Sequence, residues 1–376
     1  MNKTEDIKKV IALTFVDNIA GNVTEHILHR DQKANLASFR LQLHPALIAC
    51  QKLGYQIEIW SLHNSHPEHL EEIKNVDLCI VGKISTNSEQ SANDFTMINL
   101  ALLARLKRKQ VPILLIYSDH HCCKKDTTGY FYKGIVGLAN VIVCPTKRLI
   151  QELKSYASEN IIYHQIEDSW HFEETNDFKW EPKINSINLL WFGSTSNIQY
   201  LIEVFPKLIL SVNTSRDINL TILSTKIAHA HFHKAIDYNI IGIKNWKISY
   251  RLWDSNQQPL QLRRELDKAQ LTLLPSDPKD PSKCGVSHNR FVDSIRGGTI
   301  PIASPIESYL ELSELGLISD DLPSMINYAE NNMEKIWEKI RLIRDQKLAR
   351  FSPQRNHKNW KKIILSIDRS GVHLSL

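Results

Sequence analysis

The sequence predicts an α/β protein made of two consecutive doubly wound parallel-sheet domains. Three observations carry this. Short apolar runs alternate with helix-patterned segments, the order of a parallel sheet. Runs such as 111–117 are apolar almost without a break, as strands buried on both faces are. The alternation lapses over 168–183 and then starts again.

Taken in order, strands are expected at 10–15, 56–61, 76–81, 111–117, 141–144 and 161–166. Helices are expected at 36–53, 95–106 and 149–156. Pro45 kinks the first helix or marks its first turn, and Gly54 ends it. Lys107, Arg108 and Lys109 suit a helix C-terminus, where the dipole favours cations. Residues 17–33 read as a loop. Residues 168–183 hold Trp170, Phe172, Phe178, Trp180 and Pro182 among many acids, and read as a linker. Strands then recur at 187–192, 220–224, 246–253, 271–274 and 299–303, with helices at 198–210, 260–268, 325–347 and 353–367. The expected division is a first domain over 1–170, a linker over 171–185, a second domain over 186–350 and a final helical segment over 351–376.

A chain of 376 residues, 42% hydrophobic and 23% charged, has the balance of a soluble globular protein with room for two cores. A net charge of +5 with no dense Lys/Arg stripe argues against a nucleic-acid partner. It suits an anionic substrate or an acidic membrane surface. Cys79 and Cys144 lie inside apolar runs and read as small buried hydrophobes, not as part of a disulfide framework. Residues 1–9 are polar, and the apolar run 10–16 is too short for a signal peptide's core and cleavage site. No run of ~18 apolar residues is present, so no spanning helix is expected and a reducing cytoplasm fits.

Residues 283–304 are the most informative stretch. Ser287 is a candidate N-cap, Phe291, Val292 and Ile295 an apolar face, and Gly297 and Gly298 the helix end. Lys283, Asn289 and Arg290 gather where free amides and the dipole already favour anions. That suggests a phosphate or diphosphate site; a solvated basic helix start is the other reading. Ligands of such sheets bind beyond the carboxyl ends of the strands, in a cleft when two such domains follow one another. The loops after strands are therefore the candidates. Gly193 and Ser194 offer a second anion-favouring helix start or an ordinary cap. Trp253 stacks on a nucleobase or packs the core. Pro275, Pro278 and Pro281 stiffen the loop before Lys283, which raises the phosphate reading. In the first half, Asp119 and His120 follow a strand and are candidate catalytic or substrate-contacting groups, against a polar loop. His120, His121, Cys122 and Cys123 are too bunched for a tetrahedral metal site, and no metal is expected. Asn35, Ser38 and Arg40 begin a helix, where Arg40 holds an anionic acceptor or lies on the surface.

These residues resemble the GT-B glycosyltransferases, the group 1 (family 4-like) class that uses nucleotide sugars. The resemblance rests on Lys283, Asn289-Arg290, Gly297-Gly298, the run 299–304 and the following 308–312. Further support comes from 190–194, 141–146 and 37–41, and the final Trp360 helix is similar to the one that crosses back onto the N-terminal domain in that fold. The likeness spans nearly the whole chain. It implies two Rossmann-like domains facing across a cleft, the first binding the acceptor and the second the donor. There is one departure. Where many members carry two spaced glutamates, this chain has Gly285 and Asp293.

The resemblance implies transfer of a sugar from a nucleoside-diphosphate sugar to a glycan, lipid-linked or small-molecule acceptor, with retention of configuration. Lys283, Asn289, Arg290, Gly193 and Ser194 would bind the diphosphate, and Asp293 a donor hydroxyl. Positive charge at the leaving group would come from protein, so no cofactor or metal is implied. Two rivals remain: a nucleotide-sugar epimerase of the same fold, and a non-catalytic binding protein with an altered donor site.

Overall fold

The computed structural model of the chain describes residues 7–14, 21–28, 39–61, 71–84, 89–157, 159–172, 174–179, 185–236, 245–254 and 259–370. Asn35, Ser38, Trp180 and Pro182 lie outside them. The chain divides into two compact units. One comprises Met1–Ser169, Cys284–Ser287 and Phe351–Leu376, the other Trp170–Lys283 and His288–Arg350.

The first unit holds strands β1 (Lys9–Thr14), β2 (Gly21–Asn22), β3 (Gln56–Ser61), β4 (Leu78–Val81), β5 (Ile113–Ile116), β6 (Val141–Cys144) and β7 (Ile162–Gln165). Their order in the sheet is β2-β3-β1-β4-β5-β6-β7, and every pairing is parallel except that of β2 with β3. Side chains alternate across a strand, so one apolar run feeds two cores. Val10, Ala12, Ile80, Leu114 and Val143 enter one core, and Ile11, Leu13, Val81, Leu115 and Ile142 the other. Cys79 and Cys144 are buried in the second of these, where burial pushes both thiols up.

The helices here are α1 (Thr24–Leu28), α2 (His44–Lys52), α3 (Glu89–Arg108), α4 (Thr127–Leu138) and α5 (Lys147–Leu153). The helix expected over 36–53 is divided: Phe39–Leu43 is a π-helical turn, and α2 follows with Pro45 in its first turn, where a missing amide costs nothing. Gly54 sits at φ +85°, the left-handed conformation that ends the helix. Helix α4 has no clear apolar period because Gly129, Gly134 and Gly137 interrupt it; its start is capped by Asp126, which accepts from the Gly129 amide at 2.9 Å.

The second unit holds β8 (Ser186–Phe192), β9 (Asp217–Ser224), β10 (Trp246–Leu252), β11 (Leu271–Leu274), β12 (Ile300–Ala303) and β13 (Leu317–Ile318). All pair in parallel, in the order β10-β9-β8-β11-β12-β13. The chain therefore builds outward from β8 in one direction and then, from β11, in the other. Helices α6 (Ile198–Ser211), α7 (Lys226–Ala235), α8 (Leu260–Leu266), α9 (Asn289–Arg296), α10 (Glu307–Leu310) and α11 (Leu322–Leu348) connect the strands.

Much of the expected linker is packed structure of this second unit. Arg296 Nη2 donates to the Phe172 carbonyl at 3.1 Å, and its guanidinium lies 3.7 Å from the Trp170 ring centroid. The Asn176 amide donates to the Arg296 carbonyl at 2.8 Å, and Phe178 stacks on Trp337.

The sequence predicts an unbroken second domain over 186–350, whereas Cys284–Ser287 group with the first unit. Thr146 Oγ1 donates to the Gly285 carbonyl at 2.7 Å, and Arg148 Nε reaches Cys284 Sγ at 3.1 Å. Gly285 sits at φ +70°, and a Cβ there would lie 2.6 Å from the Leu149 nitrogen.

The final helix, α12 (Pro353–Ser370), also belongs to the first unit. Trp360, Ile363, Ile364 and Ile367 enter the core that holds Ala46, Leu47 and Cys50 of α2. Trp360 is 1% exposed. Trp360→Ala should destabilise the first unit by about 3–5 kcal/mol, the usual cost of emptying a buried aromatic site. Urea unfolding followed by circular dichroism reads this, and an unchanged first transition would refute it.

Candidate functional site

Where the order of strands reverses, the loops after the two central strands leave in opposite directions and open a crevice at their carboxyl ends. In the second unit that point lies between β8 and β11. The loop after β8 carries Gly193 and Ser194, and the chain after β11 leads through Lys283 to α9.

Six of the seven residues proposed for the donor gather there. Lys283 Nζ donates to Asn197 Oδ1 at 2.7 Å and lies 5.0 Å from the Tyr200 ring centroid. Asn197 Nδ2 donates to Ser194 Oγ at 3.3 Å. The Gly193 carbonyl accepts from Ser224 Oγ at 2.7 Å and from Trp253 Nε1 at 3.4 Å. A Cβ on Gly193 would lie 3.2 Å from the Trp191 ring, so a side chain there would press on that ring. Asn289 and Arg290 open α9.

Arg290 is the most unusual of these. Its guanidinium lies over two aromatic rings, 5.4 Å from the Trp191 centroid and 5.5 Å from that of Phe192. Its Nε and Nη2 are buried and have no hydrogen-bond partner among the described residues. Burial lowers its pKa. Cation–π attraction is worth about 0.5–2 kcal/mol, whereas each buried polar group left without a hydrogen bond costs about 1–3 kcal/mol. The group is thus arranged to meet an anion, and a guanidinium fork matches a phosphate through two parallel bonds.

Three features differ from the sequence expectation. Ser287 does not cap α9: the cap position falls on His288, with no side-chain cap bond. Gly298, at φ +81°, is the left-handed residue, while Gly297 has φ −75°. Asp293 is 1% exposed, and both of its oxygens are engaged by His171, through the main-chain amide at 3.2 Å and through Nδ1. Its carboxylate fastens residue 171 to α9 and is not offered to a donor hydroxyl.

Sequence reasoning missed the groups that hold Lys283. The Tyr200 hydroxyl donates to Asp280 Oδ2, and the Ser282 amide donates to Asp280 Oδ1 at 2.8 Å. Burial raises the Asp280 pKa, but the hydrogen bonds from Tyr200 and Ser282 and the charge of Lys283 outweigh it and leave it below the ordinary value. It also missed His288 and Glu311, which meet at 3.1 Å, with Arg350 Nη2 donating to the same Glu311 oxygen at 2.9 Å. Glu311 stands in the quoted 308–312 run, but nothing in its spacing signals a partner at position 288.

In the first unit, Asp119 follows β5 and pairs with Lys83, which follows β4. His121 Nε2 lies 3.8 Å from the same carboxylate. His120 is 4% exposed and packs edge-on against Tyr156, and burial lowers its pKa. Asp119, with its side chain 35% exposed, is the more accessible member of the predicted pair. Cys123 Sγ donates to the His120 carbonyl and the Cys122 amide to the Tyr117 hydroxyl, so this loop is knitted to its own backbone. Among the described residues, no group of three or more His, Cys, Asp and Glu is placed to hold a metal. Arg40 is partly exposed on the π-helical turn, whose other residues are buried.

No protein-family model matches the chain, and no curated protein matches it by sequence. Solved structures do match. The Anabaena protein HepE, in complex with UDP and glucose, has 10% identity and a TM-score of 0.61 over 95% of this chain and 100% of that one. The N-terminal domain of Candida albicans trehalose-6-phosphate phosphatase has 9% identity and a TM-score of 0.58, covering 97% and 98%. The pneumococcal O-GlcNAc transferase GtfA, in complex with UDP and GlcNAc, has 10% identity and a TM-score of 0.53, covering 82% of this chain and 61% of its own. At these identities the likeness establishes the fold, two Rossmann-like domains of the GT-B class. No helix among the described residues is long and apolar enough to cross a membrane.

His121 makes the first unit sensitive to acid. It is stacked on Tyr132, and burial lowers its pKa from 6.5 to about 4. Between those values the unfolded chain takes up a proton that the folded chain refuses. Stability is therefore greatest above pH 6.5 and falls as pH drops towards about 4. Thermal unfolding at about pH 7.5 and about pH 4.5 should show a smaller drop in His121→Phe than in the wild type. Equal drops would refute this.

Proposed function

We propose that the chain is a glycosyltransferase that moves a sugar from a nucleoside-diphosphate sugar to an acceptor hydroxyl. The observation that carries this is Arg290, a half-buried residue whose Nε and Nη2 are buried without hydrogen-bond partners among the described residues, at the strand-reversal point of a doubly wound sheet. The UDP held by the HepE and GtfA structures supports the reading and makes UDP the first nucleotide to test.

Breaking the bond from sugar to diphosphate develops negative charge on the departing oxygens. Arg290 and Lys283 stabilise that charge, with Asn289 and Ser194 as neutral donors and Gly193 giving the ligand close approach to the backbone. Lys283 leaves its Asn197 partner to do so. Trp253, fixed through its indole N–H, offers a ring for the base. Transfer proceeds with retention of configuration, a point inferred from the family resemblance. Acceptor recognition is assigned to Asp119 and Arg40 of the first unit, with a glycan, lipid-linked or small-molecule acceptor; buried His120 supports Asp119's loop from beneath. A cytoplasmic setting against an anionic membrane suits the net charge of +5.

A second reading, a non-catalytic nucleotide- or glycan-binding protein, is favoured by one pair of observations. Asp293 is consumed by His171, and Gly285 carries no side chain. Turnover of a donor, including slow hydrolysis, separates the two.

Arg290→Ala and Lys283→Ala should each weaken UDP or GDP binding by about 10–100-fold, the worth of a charge-assisted hydrogen bond or two, with the fold retained. Calorimetry showing wild-type affinity in both variants would sink the proposal. Since protein cations supply the charge at the leaving group, transfer should persist in excess chelator; its abolition there would show that the two cations do not suffice.

A further inference from the structure

A nucleoside-diphosphate sugar carries a row of hydroxyls, and a hydroxyl that donates to a carboxylate forms a short, strong hydrogen bond. Four carboxylates are tied to α9 or to the loop before it. Asp277 is engaged only locally, its Oδ1 accepting from the Lys279 amide at 2.8 Å. Asp280 has both oxygens occupied, by Tyr200 and by the Ser282 amide. Asp293 is buried with both oxygens on His171. Glu311 differs. Its bonds from His288 and Arg350 both fall on Oε2, and Oε1 accepts from no described residue. Its side chain is 33% exposed.

The position of Glu311 fits a ligand contact. It follows α10, which begins beyond the carboxyl end of β12, the strand beside β11. Tyr309, two residues earlier, packs on Phe291, the neighbour of Arg290. His288, which is 1% exposed, directly precedes Asn289. A fixed imidazole and a guanidinium therefore hold one oxygen and leave the other presented, the form a recognition carboxylate needs. The hydrogen bond from His288 and the charges of His288 and Arg350 outweigh burial and hold the Glu311 pKa down to about 2, so the group is an acceptor throughout the working pH range.

We propose that Glu311 determines donor specificity, its open Oε1 accepting from a sugar or ribose hydroxyl of the bound nucleoside-diphosphate sugar. His288 and Arg350 are positioning residues that act through it. The assignment rests on the nucleotide-sugar reading above.

Calorimetry on the full chain tests it with pyrophosphate, UDP, 2′-deoxy-UDP, UDP-glucose and GDP-mannose. Glu311→Ala and the milder Glu311→Gln should lower affinity for the sugar nucleotide that the wild type binds by about tenfold, while pyrophosphate affinity changes less than about twofold. A loss seen with UDP but not with 2′-deoxy-UDP places the hydroxyl on the ribose, and a loss confined to the sugar nucleotide places it on the sugar. Wild-type affinity in both Glu311 variants, with binding lost in Arg290→Ala, overturns the Glu311 assignment alone. An equal loss of pyrophosphate and sugar-nucleotide binding in the Glu311 variants overturns it as well, since the carboxylate would then act on the helix start. Unchanged binding in Arg290→Ala overturns the nucleotide-sugar reading and this assignment with it.

Discussion

A guanidinium held over two aromatic rings, with Nε and Nη2 unmatched among the described residues, is the interaction on which the second unit turns. Left to itself, Arg290 would rotate towards water, where each donor finds a partner. It stays because α9 cannot move. Phe291, Val292 and Ile295 bury the helix from one side. At the other end Arg296 grips the Phe172 carbonyl, Asp293 holds His171, and Gly298 turns so tightly that a Cβ would lie 2.7 Å from the Asp177 carbonyl oxygen. The buried charges at the back of the helix thus have a purpose at its front. They keep a costly arrangement from relaxing, which is the usual way that strain is stored at a functional site.

The strand order decides where that arrangement sits. Building outward from β8 and then reversing at β11 brings the loops carrying Gly193 and Lys283 to one end of adjacent strands. Neither loop needs a special sequence to arrive there. The local chemistry then narrows what each position accepts. Gly193 has little room for a side chain beside Trp191, and Lys283 is held by an amide, a ring face and, through Tyr200, an aspartate.

Much of the fold could be read from the sequence because buried strands write themselves as unbroken apolar runs. The strand at 141–144 is such a case, and the helix from Ile198 shows itself by apolar residues at helical spacing. Helix α4 escaped because three glycines blur its period, and α7 because a run of alternating histidines reads as polar. The donor cluster was legible residue by residue, since Lys283, Asn289 and Arg290 are close in the chain. What could not be read was occupancy. Asp293 looks like a free acid until His171 is found against it, 122 positions away. His120 looks like a catalytic ring until it is seen buried beside Tyr156. Gly285 looks like a missing glutamate, yet its φ of +70° and the backbone of Leu149 leave no place for any side chain. Long-range pairing of this kind has no local periodicity and so leaves no trace in a single sequence.

Helix α12 bears on how the chain is made. Its indole and isoleucines complete the core that Val10, Ala12 and Leu47 begin. A ribosome delivers those residues before α12, and the part of the core that Trp360, Ile363, Ile364 and Ile367 fill stays open until residues 360–367 emerge. The usual order, in which an N-terminal domain folds while the rest is still being synthesised, is therefore denied to this unit. The second unit, whose sheet is contiguous in the chain from β8 to β13, can finish before it. The earlier half of the protein is then the last to become native, and during synthesis it presents a hydrophobic surface of the kind that chaperones bind.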